Sequence, residues 1–372
     1  MTLRERILAV YAGRTPDVVP YMLDLSHWFY HRQHMPWDLS RAYFTPEREL
    51  IEYHRRNGVG FYVANLASFF DATYPADVKA SVTRDESDGV EIVWRCDTPL
   101  GSIERRRKWS EASYSWHVSH WGVRTEQDLR VLGRALGGLQ FKPAWDRYRA
   151  WVEAVGESGV VYVSTGYSAM GHLLNYWMGI ERTLYAAADW PDTLHEVVNE
   201  INEGALRLVD LLADSPAEVV IMGDNFSSDI QPPRFFAEWS RPFYNEAIRR
   251  LHRKGKRMAV HIDGRLRGLL HAFAEIGADC ADAVTPAPMG DLVPSECRDE
   301  AGPELILSGG VPPNLWLPEV SEEAFVRSLL RWLDLAKRSP RLIANAGDQV
   351  PPGAVEARIL LARDLVEKHG GY

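Results

Sequence analysis

Met258-Ala259-Val260-His261-Ile262-Asp263-Gly264 is an apolar run that stops on side chains able to bind a metal or move a proton. Two other runs end alike: Val219-Val220-Ile221-Met222-Gly223-Asp224 and Leu342-Ile343-Ala344-Asn345-Ala346-Gly347-Asp348. Each precedes a loop and then a helix-like segment. Parallel α/β enzymes present catalytic groups in this way, at the C-terminal ends of strands, so the three runs mark one face of a parallel sheet.

Outward from these runs the pattern repeats. Strand candidates at 160–164, 218–223, 257–262, 279–284, 304–307 and 341–344 alternate with helix-like segments, and Val18–Asp24 and Gly60–Asn65 add two more near the N-terminus. Eight strands separated by helices predict a (β/α)8 barrel, an α/β fold, over one domain of residues 1–372. A doubly wound open sheet is the alternative; the first strand lacks the GxGxxG turn that would favour it. Residues 77–122 break the alternation. Val78–Val82, Val90–Trp94, Ser102–Lys108 and Ser113–Val118 read as an antiparallel β insertion with a turn at Ser87-Asp88-Gly89.

The chain has 372 residues, 46% hydrophobic and 25% charged, enough apolar content for a large core. Its net charge of −9 argues against nucleic acid as a partner. The basic run Arg105-Arg106-Arg107-Lys108 reads either as a solvated strand face or as an arm for an anionic substrate. The cysteines, Cys96, Cys280 and Cys297, lack CxxC spacing, which fits a reducing cytoplasmic setting. Met1–Arg6 opens an amphipathic helix rather than a secretion signal, and no apolar run reaches the ~20 residues of a membrane span.

His261 and Asp263 lie two apart, hence on one strand face, and a barrel would bring Asp348 and Asp224 to the same end. A histidine with carboxylates suits Zn²⁺, Fe²⁺ or Mn²⁺; carboxylates alone would suit Mg²⁺. The plainer alternative makes His261 a hydrogen-bonded supporting residue and Asp263 a helix cap. Asp224 is a candidate ligand or base. Asp71 is a candidate proton donor, its pKa raised by Phe69 and Phe70, or simply a cap. His27, Trp28 and Tyr30, with Trp116 in the insertion and Tyr167 after a strand, are candidate pocket walls; aromatic core filling is the alternative.

Arg4-Glu5-Arg6-Ile7-Leu8 with Pro16–Pro20, Asp224 with Pro232–Phe236 and Arg241–Tyr244, His261-Ile262-Asp263-Gly264, Ser308–Val311 and Gly347–Pro351 stand in the order of blocks in the uroporphyrinogen decarboxylase superfamily, which the chain resembles. The resemblance implies a (β/α)8 barrel and a homodimer. It also implies one of two chemistries: cofactor-free decarboxylation, or methyl transfer between a corrinoid protein and an acceptor activated by zinc. The arginine motif that holds uroporphyrinogen carboxylates is absent; Leu23–Tyr30 stands in its place. Both cysteine ligand positions of the methyltransferases are carboxylates here, Asp263 and Asp348, beside His261. The expected ligand set is therefore hard, which shifts the expectation from thiol activation to binding an oxygen group. The leading expectation is metal-dependent one-carbon transfer or demethylation of a small, partly aromatic substrate, with a corrinoid partner implied by the resemblance. Metal-free decarboxylation of a small acid, and a ligand-binding barrel without catalysis, are the alternatives.

Overall fold

The structure, a computed structural model, describes all of residues 1–372 except Pro36, Arg41, Ala42, Leu66 and Asp88. Its strands are β1 (Phe61–Val63), β2 (Phe70–Thr73), β3 (Lys79–Asp85), β4 (Glu91–Thr98), β5 (Gly101–Ser110), β6 (Ser115–His120), β7 (Gln140–Pro143), β8 (Gly159–Ser164), β9 (Val219–Phe226), β10 (Arg257–Ile262), β11 (Cys280–Val284), β12 (Ile306–Val311) and β13 (Leu342–Ala346). One parallel sheet runs β1-β8-β9-β10-β11-β12-β13, with helices in the connections. Spatial order follows chain order without reversal, so the doubly wound alternative fails.

The sheet curls until its edges are linked. Tyr21 bridges to Ala344 of β13 and Met22 to Gly60, next to β1, both in parallel. Met22 N donates to the Ala344 carbonyl at 3.1 Å and Leu23 N to the Gly60 carbonyl at 3.1 Å. The expected eighth strand, Val18–Asp24, is thus reduced to a two-residue bridge. Pro20 has no N–H to donate, and a helix begins at Ser26. The fold is a curled seven-stranded parallel sheet of TIM-like form.

Alternation along the strands sorts the core into two layers. Met22, Tyr62, Tyr162, Ile221, Ala259, Cys280, Ile306 and Ile343 form one buried cluster inside the curl, plugged by Ile7, Val10 and Tyr11 of the helix Leu3–Tyr11. Thr2 and Glu5 start that helix with a capping box. The alternate residues, such as Val161, Val163, Val220, Met222, Met258 and Val260, pack outward on the helices. Strands buried on both faces must be apolar throughout, as the runs are. Each fully buried aliphatic side chain contributes ~1.5–3 kcal/mol.

The insertion is an antiparallel meander, β3-β4-β5-β6. It matches the expected excursion, though Asp88 of the expected turn lies outside the described residues. A second ribbon, β2 against β7, was not foreseen. Among the described residues no helix is long and apolar enough to cross a membrane.

Candidate functional site

Two residues beyond most inward apolar side chains, the strands turn polar. Tyr162 is followed by Ser164, Ala259 by His261, Cys280 by Asp282, Ile306 by Ser308, Ile343 by Asn345, and Met22 by Asp24, whereas Gly223 follows Ile221 and Ala64 follows Tyr62. Period two therefore builds a polar layer at the C-terminal end of the sheet. His261 faces Asp282 in the β10–β11 register, and Asp282 faces Ser308 in the β11–β12 register. The side chains bond along this row: His261 Nδ1 to Asp282 Oδ2 at 3.4 Å, Ser308 Oγ to Asp282 Oδ1 at 3.1 Å, and Asn345 Nδ2 to Ser308 Oγ at 3.2 Å.

Above this row lies a cavity of about 470 Å³. Its lining includes Asp24, His261, Asp263, Asp282, Asp348 and Gln349 on one side, and Trp116, Tyr167, Tyr176 and Arg107 among the rest. A larger groove of about 910 Å³ lies between helices 48–57 and 145–155. Several of its charges pair among themselves, Arg55 and Arg56 on Glu52 and Arg32 on Glu356, so it offers less chemistry.

Within the cavity, burial alone would lower the pKa of His261. The hydrogen bond to Asp282 and the charges of Asp282, Asp348 and Asp263 outweigh it and bring the imidazole up to about 9. Burial raises Asp348 to about 6, against the pull of His261 and helped by the charge of Asp263. With Nδ1 donating to Asp282, Nε2 is left for a ligand in the cavity. Asp24 accepts from Ser26 N at 3.0 Å, from Asn65 Nδ2 at 2.6 Å and from Gln349 Nε2 at 2.9 Å, so its carboxylate is fixed rather than free.

Local backbone supports the arrangement. The ladder shifts register between Asp282 and Val284, and Ala283 there has φ 68°. A second shift lies opposite Val260–Ile262, where Asn225 has φ 50°. Bulges thus flank β10 on both sides, and left-handed backbone at such positions commonly marks a working site.

The expected site residues divide. His261, Asp263, Asp348, Trp116 and Tyr167 line one cavity. Asp224 does not: it is fully buried on the opposite strand face, where Ser168 N (2.8 Å), Ser168 Oγ and Tyr244 Oη (2.8 Å) donate to it. Burial raises its pKa to about 6 despite those bonds. Asp71 stands in β2, 52% exposed and paired with Arg147 at 2.8 Å, whereas Phe69 before the strand is buried. Trp28 and Tyr30 are core residues of the helix Ser26–Arg32, Trp28 Nε1 donating to the Ala354 carbonyl at 3.0 Å. His27 donates from Nε2 to the Tyr114 carbonyl at 2.8 Å and packs on Trp37, behind the wall rather than in it.

Asp282 and Asp24 were missed as site residues, while Arg107, which lines the cavity, belongs to the basic run whose two readings were a solvated strand face and an arm for an anionic substrate. Asp282 carried a signal: it follows Cys280 on β11 as His261 follows Ala259 on β10. The three expected ligands, His261, Asp263 and Asp348, share the cavity without forming a ready metal centre. Among the described residues, no group of three or more His, Cys, Asp or Glu side chains is placed to hold a metal ion.

The chain is similar in fold to a methyltransferase from Methanosarcina mazei, with a TM-score of 0.65 and 13% identity over 99% of each chain. No curated protein sequence matches it significantly. The family model described as uroporphyrinogen decarboxylase (URO-D) matches residues 160–369, the half that carries β8 to β13 and the polar row. The chain therefore belongs to the uroporphyrinogen decarboxylase family.

Proposed function

We propose that the chain is an enzyme that transfers or removes a methyl group from a small, partly aromatic substrate, with His261 as the proton donor. The observation that carries this reading is the His261–Asp282 pair: a carboxylate holds Nδ1, so Nε2 meets the cavity in a fixed orientation. In demethylation of a methoxy ether, a nucleophile takes the methyl carbon and the C–O bond breaks with its electrons on oxygen. A proton from Nε2 then neutralises that oxygen. The methyl acceptor comes from another molecule, and a corrinoid protein is the acceptor that family resemblance implies. The Methanosarcina mazei methyltransferase of similar fold supports the same class of reaction. In this reading the curled sheet serves as a (β/α)8 barrel, with the Tyr21–Met22 bridge in place of the eighth strand.

The test uses a panel of methoxyarenes with a methyl acceptor. His261→Gln lowers turnover by about 10²–10⁴-fold while the protein stays folded and still binds substrate. Wild-type turnover in that variant sinks the proposal, and release of carbon dioxide from an acid, without methyl loss, replaces it with decarboxylation. A second reading has one specific support. A carboxylate on Nδ1 also orients metal-binding histidines, and Asp263 and Asp348 lie in the same cavity. On that reading His261, Asp263 and Asp348, which are not placed to hold a metal as they stand, would have to draw together on a divalent ion, zinc first, which would supply a Lewis acid. Metal analysis of protein purified without chelator tests it.

A further inference from the structure

The polar row accounts for one wall of the cavity. The opposite chemistry comes from β5 of the insertion. Arg105 and Arg107 lie two apart on that strand and so share a face. Arg105 is buried, with its guanidinium 3.9 Å from the centre of the Trp94 ring and 4.2 Å from that of Tyr176; its Nε and Nη1 have no hydrogen-bond partner. Arg107 lines the cavity itself. It lies 4.4 Å from the Tyr176 ring centre, donates from Nη2 to the Asn175 carbonyl at 3.2 Å, and has a buried Nε without a partner. Among the described residues neither arginine pairs with a carboxylate, whereas their neighbour Arg106 pairs with Glu91 and Glu104.

Arg105, removed from water, and Arg107, partly buried on the same strand face, are cations without a carboxylate partner, a cost that an anion would relieve. Ring contacts offset part of that cost but leave Arg105 Nε and Nη1 and Arg107 Nε unbonded. The acids of the cavity, Asp24, Asp263, Asp282 and Asp348, belong to the strand ends and not to β5. The charge of the cavity is therefore divided, negative at the strand ends and positive at the insertion. An anionic ligand has one favourable orientation in such a field.

We infer that Arg107 is the carboxylate-binding residue of this cavity, that Arg105 supports it with charge, and that the substrate is a small aromatic acid. The carboxylate binds at Arg107 and the opposite end of the ring points to His261. Planar guanidinium matches a carboxylate with two parallel hydrogen bonds, and the Tyr176 ring already lies 4.4 Å from that group. This assignment rests on the functional reading above and names its substrate class.

The test is binding, measured by tryptophan fluorescence and calorimetry with benzoate, 4-methoxybenzoate and phenylacetate against the neutral isosteres benzamide and methoxybenzene. The acids bind wild-type protein roughly ten- to hundredfold more tightly than their neutral counterparts. Arg107→Ala removes that preference, and Arg107→Lys restores part of it. Equal binding of acids and neutral isosteres by wild-type protein overturns the inference, as does binding of no acid in the panel. Because that comparison needs no variant, a misfolded Arg107→Ala does not blunt it. Failure of each claim is separable. Acid binding through Arg107 without turnover leaves this inference standing and removes the methyl-transfer reading. Turnover of methoxybenzene, undiminished in Arg107→Ala, does the reverse.

Discussion

At the scale of single residues, His261 concentrates the chemistry, and pH is its most direct probe. Its folded pKa stands near 9, above its ordinary value, because Asp282 bonds it and Asp348 and Asp263 add negative charge, against the effect of burial. A proton donor must carry its proton, so kcat/KM falls as pH rises through about 9. In Asp282→Asn that fall moves to lower pH, and a profile unchanged by the substitution would remove Asp282 from the role given it. The same raised pKa adds stability that is full below about 6.5 and lost as pH climbs through about 9. Asp224 predicts a contrasting result. Its carboxylate receives Ser168 and Tyr244 in the core, so Tyr244→Phe costs about 1–3 kcal/mol of stability with little change in turnover per folded molecule. Denaturant unfolding beside an activity assay separates the two, and loss of kcat in stable Tyr244→Phe would return Asp224 to the reaction. Asp71→Ala, at a solvent-exposed ion pair, shifts stability by no more than about 1 kcal/mol.

At the scale of elements, the strand-end rule was legible and its phase was not applied far enough. The same alternation that puts His261 inside the curl puts Asp224 outside it, since Ile221 and Gly223 hold the inner positions of β9. Strand β11 was recognised in the sequence, and reading its inner positions from Cys280 onward would have given Asp282. Burial in the N-terminal helix was less accessible. Trp28 and Tyr30 face the core because of what packs on that helix, which its own sequence does not disclose. The bulges also escaped sequence reading, since no glycine marks Ala283. That position carries its own prediction. Left-handed backbone costs an alanine roughly 1–2 kcal/mol, while glycine adopts it freely. Ala283→Gly therefore leaves the unfolding midpoint unchanged or raises it. Ala281→Gly, on the same strand and without that backbone strain, lowers it by about 0.5–1 kcal/mol in stability. Equal losses at the two sites would show that the bulge is not strained.

At the scale of the whole molecule, the closely packed sheet and helices impose a pH limit on the fold through histidines remote from the polar row. Burial holds His54 neutral, with its pKa down to about 4 although its Nδ1 bonds the Val59 carbonyl at 3.2 Å. Burial, helped by the charge of Arg105, takes His172 down to about 3. Both pKa values are depressed on folding, so both side chains contribute stability that is present above about 6.5 and lost as pH falls toward 4 and then 3. The unfolded chain takes up these protons and the folded chain refuses them. Between pH 7 and 5 each of these histidines costs roughly 1.4 kcal/mol per unit below 6.5, while Asp224 and Asp348, both raised to about 6, take up protons in the folded chain and oppose that loss. Urea midpoints measured across that range test the claim. His54 also packs its ring 5.3 Å from that of Phe61, so His54→Phe keeps the aromatic contact while removing the titration. The variant should gain stability relative to the wild-type chain as pH falls from 7 to 5. A slope as steep as before would assign the acid sensitivity of the fold to groups other than His54.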